Sequence, residues 1–281
     1  MITNLFDPRL LTIAAAAIPA LALLYYFYRR DLNPEPRGAL LKTFFLGVLT
    51  TLAVIVLTRP IDILGGALAD SHPVMISAFL AFIGAAIPEE GAKFWVLMRY
   101  SARHRAFEEP MDGIVYGVAA SLGFATLENI LYVSAGGWPA ALLRAFTAVP
   151  AHACFGAMMG YYIGQAFFVT QRPGTAWRGL LLAMLVHGLY DWFLMTITYS
   201  FESATEHWRY PGQRFEVMGL AAVGWLFLMI FQVIWVVRKV RALRRQQISD
   251  AATAPPAITG ASTPTGSLDF SGRNPSLSED E

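Results

Sequence analysis

The strongest constraint on this chain is a succession of apolar runs separated by short stretches that hold most of its arginines and lysines. Each run is about 20 residues long, the length at which a helix rising 1.5 Å per residue crosses a hydrocarbon core of ~30 Å. About seven can be drawn: Leu10 to Tyr28, Leu40 to Thr58, Val74 to Met98, Met111 to Ser134, Ala145 to Thr170, Trp177 to Tyr199 and Val217 to Val237. Only 15% of the 281 residues are charged, against roughly 25% in soluble domains. The expected fold is therefore all-α: a polytopic helical membrane protein with about seven transmembrane helices. Ala20-Leu21-Ala22 resembles a signal cleavage site, but the flanking charges Arg29 and Arg30 follow the first run. A secretory signal carries its charges in front, so the first run is read as a retained span.

Basic residues are concentrated after the first, third, fifth and seventh runs, with Arg29, Arg30, Arg37 and Lys42 at the start and Arg238 to Arg245 at the end. The alternate segments are poorer, holding Arg9, Arg59, Arg144, Arg209 and Arg214. By the positive-inside rule this puts the N-terminus outside and the C-terminus in the cytoplasm. Beyond Gln246 the composition turns to Ala, Pro, Ser, Thr and Gly with an acidic end, which cannot bury a core. The expected organisation is a transmembrane domain over 1–245 and a disordered cytoplasmic tail over 246–281. Between the last two runs, Trp208, Tyr210 and Pro211 suit an interfacial belt. The near-neutral charge and lack of a basic stripe argue against a nucleic-acid partner. The lone Cys154 has no disulfide partner in the chain.

Polar residues inside apolar runs are costly, on the order of 2.5–3.5 kcal/mol each at mid-membrane, so they mark function. The third run carries PEEGAKFW, in which Lys93 follows Glu89 by four residues and Glu90 by three. Either acid can reach the ammonium along one helix face. The fourth run carries GFATLENILY, with Phe124, Glu128 and Tyr132 at helical spacing and Asn129 beside the acid. His152 lies in the fifth run among Gly156, Gly160 and Gly164, a spacing for close helix approach. The sixth run carries HGLYDWF, placing His187 and Asp191 on one face. There the acid can orient the imidazole, or both can ligate a metal. All these groups fall between mid-membrane and the outer half of their runs, so one water-filled chamber can hold them. With so many acids against one lysine, some must be protonated, metal-bound or solvated.

Taken in order, DLNPEP, EEGAK, DGIVYG, GFATLENILY, VPAHACFGAMMGYYIG and HGLYDW resemble the PrsW family, intramembrane proteases distantly related to prenyl-protein endoproteases and bacterial CPBP proteins. The resemblance covers roughly 25–192. It implies an integral protein of a bacterial cytoplasmic membrane that cleaves a membrane-anchored substrate, typically an anti-sigma factor, at the initiating step of a stress-response cascade. It also implies roles: Glu89 activates a water, Glu128 stands where the cousins have a histidine, His187 and Asp191 match their His and Asn oxyanion pair, and Glu90 and Lys93 support the site. Asp191 can donate to an oxyanion only when protonated; otherwise it orients His187. His152 has no clear counterpart in those cousins.

The expected catalytic set is thus Glu89, Glu90, Glu128, His152, His187 and Asp191, supported by Lys93 and Asn129. The favoured mechanism is attack by a glutamate-activated water without a cofactor. Zinc held by His152, His187, Asp191 and Glu89 is the alternative, set second because no HExxH spacing occurs. A proton-coupled transporter or a seven-helix receptor would use similar buried groups. Against these stand the absence of inverted repeats and of a ligand-anchoring lysine on the last run.

Overall fold

The computed structural model describes residues 8–68, 71–202, 208, 210 and 212–253, and these are helical with no strands. The chain is a polytopic helical membrane protein. Its helices are α1 (Pro8–Tyr28), α2 (Arg37–Ala67), α3 (Pro73–Phe79), α4 (Ile87–Arg99), α5 (Pro110–Phe146), α6 (Ala148–Gln165), α7 (Pro173–Glu202) and α8 (Gln213–Thr253). By length and composition, five stretches among the described residues are apolar enough to cross a membrane. One of them, Pro110–Thr170, contains both α5 and α6, and a shorter apolar helix covers Ile13–Tyr28. Large apolar side chains such as Phe45, Val56, Leu57, Ile63, Leu220 and Phe227 face outward, as they do where lipid is the solvent.

Three features of sequence set the local geometry. Pro73 and Pro110 occupy first-turn positions of α3 and α5, where a missing N–H costs nothing. Glu109 and Asp112 close a reciprocal capping box around the start of α5. Between α3 and α4 the backbone widens into a π-helical turn, Leu80–Ala86, just ahead of Pro88, which has no N–H to continue the ladder. The third apolar run is therefore one continuous but unevenly wound span, and the PEEGAK sequence begins where regular winding resumes.

The core lies around α5, which is buried continuously from Met111 to Thr126. Helix α6 returns antiparallel along it at backbone contact. A Cβ on Gly160 would overlap the Gly113 carbonyl, and one on Gly117 would overlap that of Gly156. Ser121 then donates to the His152 carbonyl at 2.6 Å, fixing the register. Helices α1 and α2 pack on the other sides of α5, α7 packs on α6 and the π-turn, and α8 packs chiefly on α7.

α8 continues in helix to Thr253, so the change of composition at Gln246 does not end it. Residues 254–281, which hold the rest of the expected tail, lie outside the described residues. So do Arg209 and Pro211 of the interfacial segment.

Candidate active site

The site grows from the first turn of α4. Lys93 Nζ lies 2.7 Å from Glu90 Oε1 and 3.4 Å from Glu89 Oε2, as their helical spacing allows. Lys93 and Glu90 are fully enclosed, with relative exposures of 1% and 0%. The Phe124 ring covers the ammonium at 4.2 Å. A further neighbour of Nζ is His152 Nδ1 at 3.2 Å. An ammonium has only hydrogens to offer, so Nδ1 accepts. That leaves the ring proton on Nε2, which donates to Glu128 Oε2 at 3.0 Å.

From α7, His187 reaches the same carboxylate as the lysine. Its Nδ1 stands 2.8 Å from Glu90 Oε1, and its ring stacks on Phe155 with centroids 4.7 Å apart. Its Nε2 faces two more carboxylates, Asp191 Oδ2 at 3.1 Å and Glu89 Oε2 at 4.0 Å. A proton or a metal ion belongs between that nitrogen and those oxygens. The α7 backbone is anchored here by Trp192, whose indole donates to the Val74 carbonyl at 3.0 Å.

The third wall comes from the turn between the fourth and fifth runs, where the sequence reading missed an arginine that faces inward. In a straight helix, positions 128 and 144 would be ~24 Å apart. Instead Arg144 Nη2 meets Glu128 Oε2 at 2.8 Å and its Nε donates to Asn129 Oδ1 at 2.6 Å. The chain doubles back at Gly137, where φ is 62° and ψ is −154°, a region open essentially to glycine alone. Pro139 follows two residues later. Arg144, counted above as a loop charge, is turned inward and covers the Tyr132 ring at 4.0 Å. Gly136-Gly137-Trp138-Pro139, between the two runs, reads as a break, but nothing in that cluster says that Arg144 turns inward.

All the residues expected from sequence therefore meet in one continuous network running from Asn129 and Arg144 through Glu128, His152, Lys93, Glu90 and His187 to Asp191, with Glu89 joined to it through Lys93. It has two layers. Glu90, Lys93, His152 and His187 form a buried frame. The side chains of Glu89, Glu128 and Asp191 keep 11%, 19% and 19% exposure, so three carboxylates line the accessible edge. Cys154 is buried nearby and unpaired.

The residues also fit a metal. Glu89, His152 and His187 each offer one ligand atom, all within 4.8 Å of one another, a nitrogen and oxygen set that suits zinc. The contact from His187 Nδ1 to Glu90 is the outer contact that ordinarily orients a ligating histidine. His152 would have to release either Lys93 or Glu128 to join. The missing HExxH spacing is no obstacle, since the three residues come from three different helices.

Residues 35–236 match the family described as PrsW family intramembrane metalloprotease. Among curated proteins, the chain is 42% identical over 200 residues to Protease PrsW of Geobacillus kaustophilus, covering 70% of this chain and 82% of the relative. It is 40% identical over 189 residues to Protease PrsW of Bacillus subtilis, covering 66% and 84%. Against Protease PrsW of Clostridioides difficile it is 31% identical over 188 residues, covering 64% and 77%. No solved structure matches it significantly. With the family match spanning most of its helices and these identities sustained across them, the chain belongs to the PrsW family of intramembrane proteases.

Proposed function

We propose that the accessible edge of this network hydrolyses a peptide bond in a membrane-anchored protein. The observation that carries the proposal is the convergence of two carboxylates, Glu89 and Asp191, on His187 Nε2, at 4.0 and 3.1 Å. Carboxylates that reach solvent beside an oriented imidazole can hold a water, take its proton and return it to a leaving amine. Glu89 is the base in this reading: its ammonium contact is long, at 3.4 Å, whereas Glu90 is held by both Lys93 and His187. Glu90 orients His187. Arg144 and His152 hold Glu128 at the opposite wall, where it is a second proton carrier.

The fitting metal residues and the family's description both favour a metal-dependent form. A divalent metal held there by Glu89, His152 and His187, with Asp191 beside them, would polarise the scissile carbonyl and acidify a bound water. The metal-free form is the second reading. It is favoured by Lys93, whose ammonium already lies 3.2 Å from His152 Nδ1 and supplies positive charge at that nitrogen.

We place the protein in a bacterial cytoplasmic membrane with seven passes, the N-terminus outside and the C-terminus inside, and take an anti-sigma-factor-like protein as its substrate. The test is cleavage of a membrane-anchored reporter by purified protein in proteoliposomes. Glu89→Gln and His187→Ala are expected to lose about 10²–10⁴-fold in rate, while a chelator should abolish activity until zinc is restored. Chelator-resistant cleavage selects the metal-free reading, and full activity of both variants rejects the site.

A further inference from the structure

A second group of acids lies away from this network, where the loop after α1, the start of α5 and the end of α8 meet. Asp31, Glu35 and Asp112 are buried, with relative exposures of 6%, 2% and 2%, and Glu109 is half-buried beside them. Asp31, Glu109 and Asp112 each present an oxygen within 4.8 Å of the others. Glu35 comes in from the adjoining side, its carboxyl against that of Asp112. Among the described residues none of the four is in an ion pair with a lysine or arginine. Buried carboxylates without a counter-charge are costly, so the group calls for a compensating cation.

The donors already present leave that need unmet. The Gln247 amide nitrogen, from α8, donates to Asp31 Oδ1 and Glu109 Oε1 at 2.6 Å each. Asn33 donates to the same two oxygens, through its backbone N–H at 3.0 Å and its side chain at 3.1 Å. Asp112 Oδ2 takes the N–H groups of Glu108 and Glu109, and the Tyr116 hydroxyl donates to Glu35 Oε2 at 2.8 Å. Two oxygens remain buried with no donor, Asp31 Oδ2 and Glu35 Oε1. The second comes from outside the three-acid group, on a side chain that is almost wholly enclosed and turned toward Asp112.

We propose that Asp31, Glu109 and Asp112, completed by Glu35, bind a hard divalent cation, magnesium or calcium, which ties the loop after α1 and the end of α8 to the start of α5. The all-oxygen donor set selects such ions over the nitrogen-liking transition metals that suit the active site. Magnesium binds few protein carboxylates directly and keeps several waters, whereas calcium takes many, so comparison of the two ions separates the alternatives. The site is independent of the proteolytic reading, because it shares no residue with the membrane network.

The test uses the full chain in detergent, stripped with a chelator and titrated with terbium, a calcium-like probe that Tyr116 can sensitise. The expected result is saturable emission, displaced by calcium or magnesium but not by potassium, and unaffected by Glu89→Gln. Asp31→Asn should weaken terbium binding by about tenfold or more, because affinity follows the charge of the ligand set. Should Asp31→Asn fail to fold, Gln247→Glu serves instead: a further carboxylate aimed between Asp31 and Glu109 should tighten binding by a similar factor. Absence of saturable emission, or affinities unchanged in the folded variants, overturns the proposal.

Discussion

Removing Lys93 tests the physical basis of the active-site frame. Its ammonium lies 2.7 Å from Glu90, and two unit charges at that distance attract by ~6 kcal/mol at an effective dielectric near 20. Burying both ions costs several kcal/mol each, so the pair as a whole contributes little net stability. Breaking it is another matter. In Lys93→Met, Glu90 keeps only His187 as a donor while its Oε2 already has none, and stranding one buried charge costs ~3–5 kcal/mol. Glu90→Gln should cost less, because Lys93 retains Glu89 at 3.4 Å. The double variant Lys93→Met/Glu90→Gln removes both charges together and should recover ~2–3 kcal/mol relative to the sum of the single losses. Equilibrium unfolding in mixed micelles, followed by tryptophan fluorescence, reads all three. If the single losses add to within ~0.5 kcal/mol, the pair is not coupled and the frame argument fails.

Further outcomes follow from the same geometry. Arg144→Met should lower proteolysis by about 10–100-fold with little change in expression, since it frees Glu128 and Asn129 from one partner; Arg144→Lys should rescue only in part, because one ammonium cannot reproduce the two-point guanidinium contact. Gly137→Ala places a side chain at φ 62°, which should cost ~1–3 kcal/mol and lower activity alongside Arg144→Met, as seen by micelle unfolding and reporter cleavage. Gly160→Val should prevent assembly of α5 on α6, since even a Cβ overlaps the Gly113 carbonyl; loss of folded protein in a size-exclusion profile checks this, and a normal profile would show that the two helices do not touch there.

The membrane class and the polar residues were legible because both are written locally: apolar length gives the spans, and a charge inside a span announces itself. The pairings across helices were only partly legible. Helical spacing puts Glu89, Glu90 and Lys93 on one stretch of helix, but it cannot say that Lys93 also meets His152, or that His187 and Lys93 share one oxygen of Glu90. Those contacts depend on how deeply glycine lets α6 approach α5 and on where the π-turn aims α4. Arg144 was misread for a similar reason. Counted by its position between runs it is a loop charge, and only the reversal at Gly137 turns it toward Glu128.

Arg144 also changes the charge balance that any mechanism must satisfy. Four carboxylates, Glu89, Glu90, Glu128 and Asp191, face one ammonium and one guanidinium, so with neutral histidines two negative charges are left over in a largely buried volume. Bulk water can screen only the partly exposed edge, and an uncompensated pair of charges there is too costly to persist. Two protons or one divalent metal ion would neutralise it, and both would settle around His187 Nε2, which already faces Glu89 and Asp191. The two mechanistic readings are thus alternative ways of meeting one electrostatic demand. They differ in their response to the loss of one negative charge: Asp191→Asn removes one of the leftover charges, which should weaken retention of a metal but favour a singly protonated frame. Zinc content measured on purified Asp191→Asn beside the unaltered protein separates them, since loss of metal with loss of activity supports the metal form, and retained activity in a metal-free variant supports the protonated one.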